Sequence, residues 1–174
     1  MAKFDLNKSP GHLLRRAQQY SFDQYAKEVG SDGLTPRQFS VLHTVSQNEG
    51  CSQTDLVKLT GIDRSTLADM ISRMLKKRLL GRQRTKTDAR ANAVKITSTG
   101  RSAMNKARAK VMKADAALMK AVPGAQRSAF LRTLKTVSSA IDKELETASS
   151  AGRKRPAVKR KAKRKTKRRT ARRR

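Results

Sequence analysis

The stretch from Cys51 to Gly100 constrains the fold most, because two apolar spacings and three cap signals meet there in a fixed order. Ser52, with Asp55 three residues on, resembles a capping box in which Asp replaces the usual Glu or Gln. Leu56 and Leu59 give a short helix its apolar edge, and Gly61 suits a left-handed residue after its last turn. Asp63 is an N-cap for a second helix, since its carboxylate can accept backbone N–H bonds. Leu67, Met70, Ile71, Met74 and Leu75 follow at i, i+3, i+4, i+7 and i+8, which makes one apolar face. The opposite face carries Arg64, Ser65, Ala68, Asp69, Ser72 and Arg73. Such short polar groups and arginines suit base edges and phosphates in a major groove. Two helices across a tight turn, one face buried and one readable, make a helix-turn-helix.

A β-hairpin follows. Val94 and Ile96 alternate with Ala93, Lys95 and Thr97, a period of two that predicts a half-buried strand. The hairpin tip holds Arg82, Arg84, Lys86 and Arg90 with the single acid Asp88. Arg90 fits a narrow minor groove, where the potential is most negative, and Asp88 can pair with Arg84 or Arg90 to hold the tip. Asp88-Ala89-Arg90, followed by Val94-Lys95-Ile96-Thr97-Ser98-Thr99-Gly100, resembles the wing motif of the MarR family of bacterial transcription regulators, D-x-R and then L-T-x-x-G. Ile96 stands where Leu is usual, and the resemblance spans residues 10–148. One departure is Arg78, where the family usually has Gly at the end of the recognition helix. A left-handed non-glycine residue costs about 1–2 kcal/mol, so the expectation here is a different helix end with Gly81 as a later cap.

The flanking segments read as helices. Pro10 can sit in the first turn of a helix started by Ser9, after a loose lead-in over residues 1–8. Leu13, Leu14, Ala17, Tyr20, Tyr25 and Val29 form its apolar side, and Gly30 ends it. Thr35-Pro36-Arg37-Gln38 is a capping box with Pro at the first helical position, and Phe39, Leu42 and Val45 form the next buried stripe. After the hairpin, Thr97 or Ser98 caps a long helix whose stripe runs Met104, Ala107, Val111, Ala114, Leu118 and Val122. Pro123-Gly124 breaks it, and Phe130, Leu134, Val137, Ile141 and Leu145 continue in a further helix. Such narrow stripes have too little apolar surface for an independent bundle. The predicted fold is mainly α with a small β-hairpin wing, a winged helix-turn-helix. The predicted parts are 1–34 (a dimerisation helix), 35–100 (the DNA-binding domain), 101–148 (further dimerisation helices) and 149–174 (a disordered basic tail).

Charge is the compositional outlier. The formal net charge is +29, and residues 149–174 hold 15 of the 42 basic residues and none of the 13 acids. This points to a polyanion partner, most often nucleic acid. The tail's basic clusters, spaced by Ala, Thr and Val, resemble linker-histone tails in composition. The single cysteine, Cys51, excludes an internal disulfide framework and fits a reducing cytosol. No signal-peptide or membrane-spanning pattern is present, so the expected location is cytoplasmic, on the nucleoid, with no membrane partner.

The expected contacts to double-stranded DNA are Ser52, Gln53, Thr54, Arg64, Ser65, Thr66, Asp69, Arg73, Arg82, Arg84, Lys86, Asp88 and Arg90. Asp69 either accepts from a cytosine amino group or orients an arginine, and Thr66 either contacts DNA or packs. The MarR resemblance implies a homodimer in which the terminal helices of two subunits interdigitate. It also implies an effector bound between the DNA-reading lobe and the dimer helices. Pro10 to Gln19 resembles the first helix of members that control aromatic-acid catabolism. His12, Arg16, Tyr20, Phe39 and His43 are the expected lining for an aromatic carboxylate or aryl thioester, with arginine meeting a carboxylate or phosphate. Alternatively Tyr20 and Phe39 are plain core and the arginines are surface. No catalytic constellation stands out, His12 and His43 form no metal pattern, and no enzyme activity, metal or cofactor is expected. The expected function is a sequence-specific regulator, a repressor on a pseudo-palindromic operator. The competing expectation is an architectural protein that coats DNA with little sequence preference.

Overall fold

The computed structural model describes residues 4–83 and 93–152. Its helices are α1 (Pro10–Val29), α2 (Pro36–Gln47), α3 (Gln53–Thr60), α4 (Arg64–Lys76), α5 (Ser98–Lys120) and α6 (Arg127–Gly152). Strands β1 (Leu80–Gln83) and β2 (Ala93–Ile96) form an antiparallel pair between α4 and α5, with Leu80 opposite Ile96 and Gln83 opposite Ala93. This mainly helical fold with one small hairpin is the predicted winged helix-turn-helix.

Local chemistry sets the helix ends. Thr35 and Gln38 close a capping box at the start of α2. Ser52 and Asp55 close another on α3. The Ser52 hydroxyl accepts from the Asp55 N–H (3.2 Å), and the Asp55 carboxylate accepts from the Ser52 N–H (2.9 Å). Gly61 takes the left-handed position after α3, at φ 64°. Asp63 caps α4 by accepting from the Thr66 N–H at 2.9 Å. The apolar faces of α2, α3, α4 and both strands then meet in one core that also takes in Met104 of α5. Leu42, Leu56, Leu67, Ile71 and Met74 are fully buried there.

Several expectations change. The lead-in carries a 3-10 turn at Leu6–Lys8, capped by Asp5 accepting from the Asn7 N–H. Ala93 is buried together with Val94, so β2 does not alternate strictly. The second edge of β2 lies against Cys51, whose carbonyl accepts from the Val94 N–H. Thr97, not Ser98, caps the long helix, which begins at Ser98 and so crosses the expected 100/101 boundary. α6 continues through Ser149 to Gly152, because nothing before Pro156 breaks it. Residues 153–174 of the expected tail lie outside the described residues, as do the side chains of Ile141 and Leu145.

Gly81 is not a helix cap. It lies in β1 opposite Lys95. The left-handed residue after α4 is Arg78, at φ 55°. Its N–H bonds the Leu75 carbonyl (3.0 Å), and the Leu79 N–H bonds that of Met74 (2.9 Å). These two bonds make a Schellman motif, which satisfies carbonyls the helix end would leave unpaired. The Thr97 hydroxyl donates to the Arg78 carbonyl at 2.6 Å. Surrounding bonds therefore hold a conformation that arginine alone disfavours.

α1 packs most extensively along α5. Of its expected apolar side, Val29 is buried and Tyr25 partly so, its hydroxyl donating to the Leu34 carbonyl at 2.8 Å. Leu13, Leu14, Ala17 and Tyr20 stay exposed. Among the described residues α6 packs closely only on the turn before it. No helix of the described residues is long and apolar enough to cross a membrane.

Candidate nucleic-acid interface and adjoining cleft

With its apolar face in the core, α4 presents Arg64, Ser65, Ala68, Asp69, Ser72 and Arg73 outward, all exposed. Asp69 and Arg73, one turn apart, form an ion pair at 3.0 Å. The free side of the guanidinium fork remains available to a base edge or phosphate. The α3–α4 turn brings the two helix starts together. The Arg64 guanidinium donates to the Thr54 hydroxyl at 3.4 Å, which puts Thr54 and Arg64 on one surface. Ser52 and Gln53 are partly buried beside them, and Thr66 is partly buried on α4.

Asp63 anchors this surface. Hydrogen bonds from Thr66 and then Ser65 hold its carboxyl well below the usual carboxylate range. The depressed value means that the cap's stabilisation is present above the ordinary carboxylate range and is lost only as pH falls through the lowered value. Bonds from Ser52 lower Asp55 in the same sense. Both helix starts stay capped, and their positive dipole ends stay fixed, across the neutral range.

Arg82 is exposed on β1. Arg84, Lys86, Asp88 and Arg90 lie outside the described residues. The wing's base is pinned by Thr97. Its hydroxyl lies 3.1 Å from the Leu79 carbonyl and accepts from the Gly100 N–H at 3.0 Å. A Cβ on Gly100 would run into the Leu79 carbonyl oxygen. Glycine therefore lets α5 start against the chain that leaves α4.

The five expected effector residues lie on two helices. His12 and Phe39 are partly buried, while Arg16, Tyr20 and His43 are exposed. Phe39 and His43 stack with ring centroids 6.2 Å apart. A cleft of about 350 Å³ lies where the α1–α2 connection, the end of α4 and α5 converge. None of the five lines it; its lining includes Gln38, Leu79, Lys77, Lys106 and Lys110. Sequence reading missed these lysines. Lys106 and Lys110 carry the i, i+4 signal of a shared helix face, but only folding brings Lys77 beside them. A shallower depression holds Cys51 with Glu49, Asp55 and Leu59. Burial, and then the Asp55 charge, push the Cys51 thiol up, opposite to a reactive thiolate.

A capped α3–α4 pair with an exposed polar face, followed by a two-stranded wing, defines a winged helix-turn-helix regulator of the MarR type. Residues 32–91 match the MarR family. The chain is 29% identical, over 126 residues, to a transcriptional regulatory protein for the hcr operon of Thauera aromatica, covering 72% of this chain and 76% of that one. It is similar to BpsR of Bordetella bronchiseptica, at 28% identity and a TM-score of 0.74, covering 79% of this chain and 98% of that one. DNA binding by BpsR is regulated by 6-hydroxynicotinic acid. It is also similar to the repressor CouR bound to a 23-mer DNA duplex, at 28% identity and a TM-score of 0.69, covering 79% of this chain and 99% of that one. CouR has also been solved bound to p-coumaroyl-CoA. These relatives are regulators of transcription.

Proposed function

We propose that this chain is a sequence-specific repressor that binds a pseudo-palindromic operator as a homodimer and is released by a small aromatic carboxylate or its thioester. The observation that carries the reading is the exposed polar face of α4, with the Asp69–Arg73 pair at its centre. A face meant only for solvent has no need of a capped turn that fixes its angle to α3. In a two-fold dimer, two copies of α4 would read half-sites with centres about 10 bp apart. Arg73 would meet base edges, Arg64, Ser65 and Thr54 would meet phosphates and sugars, and the wing would flank the site. The BpsR and CouR likenesses support ligand control. A releasing ligand must bind best to a dimer whose reading helices are wrongly spaced, and DNA must weaken ligand binding by the same factor. His12, Arg16, Tyr20, Phe39 and His43 remain the proposed contacts of the ligand's aromatic acid group. Selection from a random duplex pool, followed by footprinting, tests the reading. Enrichment of a pseudo-palindrome is expected; a pool with no enriched sequence would end the repressor reading.

The net charge of +29 favours the second reading, an architectural DNA-coating protein. The 15 basic residues after Gly152 can neutralise phosphates but carry no group suited to reading bases. Deleting residues 153–174 should flatten the slope of log affinity against log salt by roughly 6 units if about half of those charges engage. Preference for the selected site over bulk DNA should survive, because the lost attraction was common to both. Loss of that preference with the deletion would favour the architectural reading, and equal slopes would remove the tail from DNA.

A further inference from the structure

The cleft beside α4 has an apolar floor and a basic rim. Val29, Leu79 and Ala107 are buried beneath it. Lys77, Lys106 and Lys110 are exposed at its edge, and Asp32 is the acid in its lining. Three ammonium groups against one carboxylate leave two positive charges unmatched. A free aryl acid has one negative charge and would leave the rim in excess. Lys106 and Lys110 are one turn apart on α5, with a Cβ separation of about 5–6 Å, a spacing that neighbouring phosphates can span. The cleft volume, about 350 Å³, is at the small end for ligand sites. It has room for an aryl group and its thioester, with a charged carrier left outside on the rim.

We infer that this cleft takes an aryl thioester of a phosphorylated carrier of the coenzyme A kind, in preference to the free aryl acid. The aryl group lies on Leu79 and Ala107, and the phosphates lie on Lys106, Lys110 and Lys77. The inference rests on the repressor reading and narrows its ligand to one of two classes. The position also supplies a route to DNA. Lys77 ends the reading helix, and the Leu79 carbonyl is the acceptor that holds Thr97 at the base of the wing. A ligand bridging Lys77 to α5 therefore pulls on the last turn of α4 directly.

The test is calorimetry on the full-length protein at fixed ionic strength, with benzoyl-CoA, CoA and benzoate as probes. Two double variants carry the same charge loss: Lys106→Ala with Lys110→Ala in the cleft, and Lys113→Ala with Lys120→Ala on α5 outside its lining. Benzoyl-CoA should bind at least about ten-fold tighter than benzoate, a difference of about 1.4 kcal/mol. The cleft variant should lose about ten-fold for benzoyl-CoA and for CoA, and the control variant less than about two-fold. Equal losses in both variants would show only the attraction of a basic chain for a polyanion and would overturn the inference. So would benzoate binding as tightly as benzoyl-CoA, or no binding of CoA at millimolar concentration. Release of the selected DNA by benzoate alone would keep the repressor and reject the thioester; failure to select any DNA would reject the repressor itself.

Discussion

From Thr35 to Gly100, α2, α3 and α4 each start on a side-chain cap and bury Val41, Leu42, Val45, Leu56, Leu67, Ile71 and Met74 completely. In α1 and α6, by contrast, Leu14 is 50% exposed, Leu131 47% and Val137 49%, and Ser9 makes no cap bond to α1. One chain suffices to close the reading lobe. It leaves the helical frame with apolar stripes that solvent touches. Full burial of one such side chain contributes roughly 1.5–3 kcal/mol, so a surface that covered both stripes would gain several times that. The frame's sequence is therefore matched to a surface outside its own fold, and we assign that surface to a second copy.

The largest test of this contrast is to charge the frame alone. Leu134→Asp with Val137→Asp should put two unpaired carboxylates into an apolar interface, at several kcal/mol together. Sedimentation should show a dimer for the unaltered protein and a monomer for the variant. An unaltered protein that is monomeric at micromolar concentration would break the comparison, because the exposed stripes would then have no partner copy.

The reading lobe has its own weak point at Gly100. Helix propensity alone favours Ala over Gly by about 1 kcal/mol. Contact with the Leu79 carbonyl predicts the opposite. Gly100→Ala should destabilise by about 3 kcal/mol or more, since backbone must move to admit the methyl. Urea unfolding decides the sign, and a more stable variant would show that the α5–wing joint is looser than the structure has it.

The lobe was legible in the sequence and the frame only partly so, for the same physical reason. Ser52, Asp55, Gly61 and Asp63 act within four residues of themselves, so spacing alone reveals their roles. The stripes of α1 and α6 were legible as stripes, but what covers them lies outside the chain. The cleft was not legible because Lys77 is far in sequence from Lys106 and Lys110, and only the turn at Arg78 brings them together. That turn was itself misread. The cost of a left-handed arginine argued for a cap at Gly81, whereas the Thr97 hydroxyl, nineteen residues away, supplies a bond that holds it.

A smaller effect probes the reading face. Arg73→Ala removes a donor fork and frees Asp69. Operator preference over bulk DNA should fall by about 1–3 kcal/mol, roughly ten- to a hundred-fold, while thermal stability changes by less than about 0.5 kcal/mol. Competition binding measures the first and thermal unfolding the second. An unchanged preference would reduce the pair to an exposed surface ion pair, worth at most about 1 kcal/mol.

The smallest expected effect lies at Arg78, where the two regions join. At φ 55° the arginine pays for a left-handed conformation that glycine adopts freely. Arg78→Gly should relieve about 1–2 kcal/mol of strain in the folded state. Against that, glycine gives the unfolded chain more freedom, which returns about 0.4–1 kcal/mol. The Schellman bonds from the Arg78 and Leu79 N–H groups survive the change, and so does the Thr97 bond to the Arg78 carbonyl, because all of them involve main-chain atoms at residue 78 or beyond. The net expectation is a gain of about 0.5–1 kcal/mol, or about 1–4 °C in Tm for a chain of this size. A loss of stability would mean that the Arg78 side chain contributes more than the strain it causes. If the stabilised variant also shows a salt slope on DNA lower by about one unit, the guanidinium was neutralising a phosphate, and the strain was retained at the reading surface for the charge it places there.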